Sequence, residues 1–409
     1  MPKKTVNKKA DTKTKVSSTK KTSGVPNAYV ISQYYGFRLI ELPNVDKEDI
    51  EKAKSIRKAS TYSNEILPSL EESLAIIRHC KDQARDEITN KMIPLMFYQE
   101  GYLKGSGRKN KPLNQNIGLH IVGSSKSIAE ALLIKTALSI LDEEGIANVG
   151  VEINNIGGKE DYGLFLKELQ AFYRKHINDM DSVCRESFKD CPHSLISCNN
   201  SEINKLSESA PASLEFLTEN NRKHFSEVIE FLETEEIPYS INKNLLGDPH
   251  YSSSTVFSII DLDANRVVAT GTRCDQLARK MGHRKEIPAI SLSLSLNKPK
   301  RVPVREIPKP NQYKFYFIQL GLDAKRMSLK VLDMLRKEGI PVHHSVVRDR
   351  LSTQLDMANR HRVPYILLMG QREAYDNSVT VRNTTNHSQQ QVAISDLAKH
   401  LKKILKTLN

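Results

Sequence analysis

The chain predicts an α+β core, an antiparallel sheet with flanking helices, followed by a C-terminal α/β domain. Three observations predict it. Strand patterns of period two recur between 27 and 300, spaced too unevenly for simple βαβ units. From 313 to 409, short apolar runs alternate with amphipathic helical segments, the pattern of a sheet covered by helices. Between the two, Arg301-Val-Pro-Val-Arg-Glu-Ile-Pro-Lys-Pro310 is a proline-rich extended stretch, read as a linker over 301–312.

Residues 1–26 carry eight lysines against Asp11 and almost no apolar side chain, so a disordered tail is expected there. Tyr35–Pro43 reads as a strand leading to a proline, and Met92–Tyr98 as the next. Asn116–Gly123 alternates in character and reads as a third. Ile128, Leu132, Leu133, Ala137 and Leu141 follow at helical spacing. Val149–Asn154 is another strand, and a helical insertion is expected at about 160–240. Ser254–Ile260 and Arg266–Gly271 form a hairpin pattern joined by Asp261-Leu-Asp-Ala-Asn265, and Ile287–Leu296 closes the sheet. In the last segment Lys314–Gly321, a helix ending at Leu335–Ile340, Arg350–Ala358, Pro364–Glu373 and Ser378–Asn383 give the order β-α-β-α-β-β-α.

Charge gathers at the two ends. The net charge is +13 and the pI about 9.3. The tail is +7; from Tyr313 onward 16 Lys/Arg stand against 8 Asp/Glu, which leaves 27–312 near −2. Basic surfaces bind phosphate backbones by releasing counterions, so a structured RNA is an expected partner. No apolar run is long enough to span a membrane, so no membrane partner is expected. The lysine-rich start has neither the apolar stretch of a secretory signal nor the arginines of a mitochondrial presequence. Five cysteines, an odd number in a long chain, suit reduced thiols in a cytoplasm. Cys184, Cys191, His193 and Cys198 lack a tight C-x-x-C turn, so no metal site is expected. Asp248 and His250 could form an acid–base pair, but no nucleophile pattern accompanies them. Gly105-Ser-Gly107 reads as a solvated loop rather than a phosphate cradle.

Residue by residue, 313–409 resembles the anticodon-binding domain of class II aminoacyl-tRNA synthetases. Upstream, Asp190–Cys198, Ser209-Ala-Pro-Ala-Ser-Leu-Glu-Phe-Leu217, Tyr251-Ser-Ser-Ser-Thr-Val-Phe257 and Gly271-Thr-Arg-Cys-Asp275 resemble, in order, segments of histidyl-tRNA synthetases. The resemblance covers roughly 30–409. It implies a class II synthetase-type core, tRNA as partner, ATP and Mg as cofactors if the ligase reaction is kept, and a homodimer formed around Tyr35–Pro43.

The chemistry departs from the family. Its reaction needs arginines on phosphate oxygens, which a guanidinium grips bidentately. The resemblance places those positions at Lys104 (with Arg108 displaced), Gly247 and Lys298, and neighbouring motif residues at Ser295 and Asn297. The histidine pocket maps to Ser69, Glu71, Asn116, His120 and Tyr251, with Cys274 where an aromatic belongs; Arg273 and Asp275 are kept. In the anticodon-type domain the matching base readers are Arg350, Gln354, Glu373, Arg382 and Asn383. The expectation is a histidyl-tRNA synthetase-like protein that binds tRNA or related RNA through its C-terminal domain, with aminoacylation lost or much reduced. The alternatives are an active divergent histidine–tRNA ligase and a regulatory paralogue acting as a protein-interaction subunit.

Overall fold

A computed structural model describes residues 25–39, 46–57, 70–83, 95–102, 115–190, 195, 201–248, 250–297, 300–303 and 313–408. Along the chain the strands are β1 (Val25–Pro26), β2 (Arg38–Leu39), β3 (Leu95–Tyr102), β4 (Gln115–Val122), β5 (Val149–Asn155), β6 (Tyr239–Ile241), β7 (Ser253–Asp261) and β8 (Arg266–Arg273). They continue with β9 (Ala289–Leu296), β10 (Arg301–Val302), β11 (Phe315–Gln319), β12 (Val342–His344), β13 (Tyr365–Met369), β14 (Ser378–Asn383) and β15 (Gln389–Ala393).

Eight of them join in the order β2-β3-β4-β9-β8-β7-β5-β6. The pairs are antiparallel except β2–β3 and β5–β6, so the expected antiparallel core is present. Period-two alternation divides this sheet into two unlike faces. One carries Ile117, Leu119 and Ile121, then Leu292 and Leu294, then Phe257 and Ile259, all buried. The helices Ile128–Glu144 and Glu219–Thr234 join this face in one hydrophobic core. Each fully buried Leu, Ile or Phe there contributes about 1.5–3 kcal/mol. Phe257 pairs with Gly271, and its ring occupies the space a Cβ on Gly271 would need. The other face is polar: His120, Ser291 and Thr272 stand in register, as do Ser293 and Thr270.

β12, β11 and β13 run parallel, and β14 and β15 add antiparallel on one side. The helix Leu322–Lys337 packs on both Ile128–Glu144 and Glu219–Thr234, so one apolar core runs from the first sheet into the second. Ion pairs ring that junction. Lys135 reaches Glu235 at 2.8 Å and Asp333 at 3.2 Å, and Arg336 reaches Glu143 at 2.8 Å. Tyr35 Oη lies 3.0 Å from Ser139 Oγ and 3.2 Å from Asp333 Oδ1.

Several expected elements differ. Tyr35 caps the helix Asn27–Tyr34 rather than opening a strand; Gly36, at φ +91, turns the chain, Arg38–Leu39 pairs with β3, and the rest of the expected strand, 40–43, lies outside the described residues. Of the strand expected at Met92–Tyr98, 92–94 lie outside the described residues, and the described strand runs from Leu95 on to Tyr102. The run Pro364–Glu373 is strand only to Met369, after which Gln371–Tyr375 is a short helix. β15 was not expected at all: three consecutive glutamines carry no strand propensity, and pairing with β14 makes the strand. Arg301–Val302 pairs with Val25–Pro26, while 304–312 and the tail to 24 lie outside the described residues. Among the described residues no helix is long and apolar enough to cross a membrane.

Candidate functional site

Arg273 ends β8 on the helix-covered face, in register with Ile290 rather than with the polar residues. It is 1% exposed. Each of its five N–H groups has an acceptor. Nε and Nη2 grip Glu130 at 2.5 and 2.8 Å. Nη1 meets the Ser124 carbonyl at 3.1 Å and Asp275 Oδ1 at 3.3 Å, and Nη2 meets the Lys126 carbonyl at 3.2 Å. Glu130 is fully buried on Ile128–Glu144, and His224 Nε2 lies 2.7 Å from its Oε1. Burial works to raise the Glu130 carboxyl; Arg273 and His224 outweigh it and hold the group at about 2. Burial pushes the Asp275 carboxyl up against the pull of Arg273, and Asp275 also accepts the Ala289 N–H at 2.9 Å. This cluster ties the loop after β4 to the end of β8. Arg273 has no donor left for a ligand phosphate.

The polar face lies on the other side of the same strands. His120 Nδ1 is 2.8 Å from Ser291 Oγ, and Nε2 has no partner among the described residues. Burial lowers the imidazole to about 3, so it stays neutral at ordinary pH. Ser293 Oγ donates to Asn116 Oδ1 at 2.7 Å. Ser295 and Asn297 end the row on and after β9. Tyr251 packs with Val122, Cys274 and Leu277 in a separate apolar cluster. Burial there pushes the Cys274 thiol up to about 12. Glu71 is half-buried on Leu70–Gln83. The residues matched to one pocket therefore fall on two faces: Asn116 and His120 on one, Arg273 on the other.

Gly247 has φ +65, and a Cβ there would come 2.6 Å from Ser252 Oγ and 3.2 Å from Val256 Cγ1. The backbone leaves this position to glycine. Asp248 Oδ1 accepts the backbone N–H of His250 at 2.8 Å, which shapes the turn. Ser69, Lys104, Arg108 and Lys298 lie outside the described residues, as do Cys191, His193 and Cys198. Among the described residues no group of three His, Cys, Asp or Glu could hold a metal ion.

In the C-terminal sheet the expected base readers divide between its two ends. Arg350, Gln354 and Glu373 lie beyond the carboxyl ends of the parallel strands, whereas Arg382 and Asn383 pair with Ile366 and Tyr365 at the start of β13. Arg350 and Arg382 are exposed. Gln354 is fully buried: Oε1 accepts the Gln319 N–H at 3.1 Å and Nε2 donates to the Gln319 carbonyl at 2.8 Å. It locks the helix Leu351–His361 onto β11 and presents nothing to a base. Glu373 caps its own helix, accepting the Gly370 N–H at 2.9 Å and the Thr380 hydroxyl at 3.1 Å. Asn383 Oδ1 accepts the Thr385 N–H at 2.8 Å and shapes the β14–β15 turn.

Neither Glu130 nor His224 is expected from the sequence to meet Arg273. Glu130 is one acid in the apolar first half of its helix, and only the fold brings it to Arg273, 143 positions away.

Comparison with known proteins follows the same division of the chain. Residues 314–404 match the family model described as the anticodon binding domain. The histidine–tRNA ligase of Protochlamydia amoebophila is 24% identical over 312 residues, spanning 75% of this chain and 72% of that one. That of Fervidobacterium nodosum is 30% identical over 286 residues, spanning 68% and 66%. Among solved structures, apo S. aureus histidyl-tRNA synthetase aligns with 91% of this chain and 94% of its own, at 17% identity and a TM-score of 0.49.

Proposed function

The chain is a histidyl-tRNA synthetase-like protein with a C-terminal anticodon-binding domain, and from that premise we propose that it binds tRNA or a related structured RNA through that domain, with aminoacylation lost or much reduced. The observation that carries the RNA half is the match of 314–404 to an anticodon-binding family, on the more basic end of the folded chain. Arg350 and Arg382 are its exposed cations at the expected positions. Gln354, Glu373 and Asn383 serve the domain's own architecture and shape the surface from within or from its turns.

The loss of ligase chemistry rests on the donor set. Phosphate oxygens of ATP need cations that are free to turn toward them. Arg273 has no unengaged N–H, and Gly247 has neither a side chain nor room for one. Among the described residues that set does not fit the nucleotide. The second reading, an active divergent histidine–tRNA ligase, is favoured by the names of the relatives.

The full-length chain should bind unfractionated tRNA at low salt, with affinity falling steeply as salt rises. Arg350→Ala and Arg382→Ala should each weaken binding about tenfold, within the 1–3 kcal/mol range of a good polar base contact. A fluorescence-anisotropy titration that shows no tRNA binding at low salt removes the RNA half.

The homodimer around Tyr35–Pro43 belongs to the same reading. Tyr35 and Phe37 are buried inside their own chain, which leaves exposed Arg38 and Leu39 to meet a second copy. Light scattering at micromolar concentration should return twice the chain mass of 46.3 kDa, and a monomer mass rules the dimer out.

A further inference from the structure

The last helix, Ile394–Leu408, buries Leu397 and Leu401 against Val379, Val381 and Val392. It therefore covers the sheet face opposite the one that carries Thr380 and Arg382. Beside it, edge strand β15 and Glu338 complete an open groove of about 840 Å³. Lys399, Lys403 and Lys406 line this groove at i, i+4 and i+7, one stripe about 10 Å long at 1.5 Å per residue.

A lysine stripe on an amphipathic helix is ordinarily just its solvated face. The neighbouring helix Leu322–Lys337 shows how this chain treats such cations: Lys325, Arg326, Lys330, Arg336 and Lys337 each have an acidic partner. On the last helix Lys402 pairs with Glu338 at 2.5 Å, while Lys399, Lys403 and Lys406 are exposed and have no acidic partner among the described residues. Three like charges held along one wall of a groove, with the exposed amide of Gln390 on the other, match the negative charges of a polynucleotide strand. The stripe spans about three nucleotides at a 3.4 Å rise per strand.

We propose that this groove is a second phosphate-backbone site for RNA, on the face of the C-terminal sheet opposite Arg382. The proposal rests on the tRNA reading above and adds a surface to it. Lysines act as point charges, so the groove positions the RNA and leaves base discrimination to the other face.

The test uses the full-length chain and unfractionated tRNA, with anisotropy titrations across a salt series. The triple variant Lys399→Ala, Lys403→Ala, Lys406→Ala should bind at least tenfold more weakly at about 0.1 M salt. Its slope of log affinity against log salt should be shallower by about 2–3, at roughly 0.7–0.9 per phosphate contact. The corresponding triple Lys→Arg variant should keep the parent's slope. All three side chains are exposed, so thermal unfolding of the variant should match the parent. A triple Ala variant with the parent's affinity and slope overturns the groove while the tRNA reading stands. Unchanged tRNA binding with lost binding to a polyglutamate peptide assigns the groove to an acidic protein surface and also overturns it. A parent chain that binds no tRNA removes both.

Discussion

Histidine-dependent ATP–pyrophosphate exchange by this chain is expected to run about ten-thousandfold or more below that of an ordinary histidine–tRNA ligase. The three phosphate positions hold no arginine: Gly247 has no side chain, and Lys104 and Lys298 put a point charge where a bidentate guanidinium belongs. Losing a preorganised contact to developing charge costs about 2.7–4 kcal/mol, so two cost roughly 5–8 kcal/mol. At about 1.4 kcal/mol per decade, that is four decades or more. Gly247→Arg should not restore the reaction. A side chain at φ +65 with Ser252 Oγ 2.6 Å from its Cβ strains the backbone by about 1–3 kcal/mol before its guanidinium reaches anything. Exchange within tenfold of an ordinary ligase would overturn the proposed loss and establish the active-ligase reading.

Glu130→Ala should lower the stability of the folded chain by about 3–5 kcal/mol, the scale of breaking a buried ion pair and stranding one partner. Arg273, 1% exposed, would keep its charge with the bidentate acceptor gone, and His224 would lose the same carboxylate. Glu130→Gln keeps the shape and one acceptor, and should fall between the two. Chemical unfolding monitored by circular dichroism measures all three; a Glu130→Ala variant within 1 kcal/mol of the parent would show that the cluster does not hold β8 to the helix.

The same carboxyl gives the stability a direction with pH. Folded Glu130 titrates at about 2 against an ordinary value of 4.5, so the unfolded chain takes up its proton first as pH falls. Its contribution is complete above about 4.5 and is lost between there and 2. His120 and His344 act earlier. Burial holds them at about 3 and 4, although the Tyr34 carbonyl at His344 Nε2 pulls the latter upward. The unfolded chain protonates both near 6.5. Their contribution is complete above that pH and declines below it, at up to about 1.4 kcal/mol per pH unit for each proton. Stability should therefore start to fall near pH 6.5 and fall faster below 4.5. Glu130→Ala should keep the first decline and lose its part of the second.

The core strands β4, β5, β7, β8 and β9 were legible in the sequence because apolar residues recur with period two over much of their length. The start of the strand expected at Tyr35 was misplaced, because local apolar content cannot show that Tyr35 ends a helix and that its hydroxyl is held by Ser139 and Asp333, from distant elements. β15 was invisible for the converse reason: Gln389–Gln391 become strand only through hydrogen bonds to β14.

By itself the sequence determined the class of fold, the basic C-terminal domain and the absence of arginine at Gly247, since each is a matter of local pattern or of residue identity. Tertiary structure alone decided which polar residues can meet a ligand. Arg273 looked like part of one pocket with His120, yet the two occupy opposite faces of the sheet, one against Glu130 and the other against Ser291. Gln354 looked like a base reader and is interior. The spacing of residues along a chain sets which side of its own strand or helix each one takes. Whether that side meets solvent or a buried carboxylate depends on what the fold packs against it, and here Glu130 comes from 143 positions away.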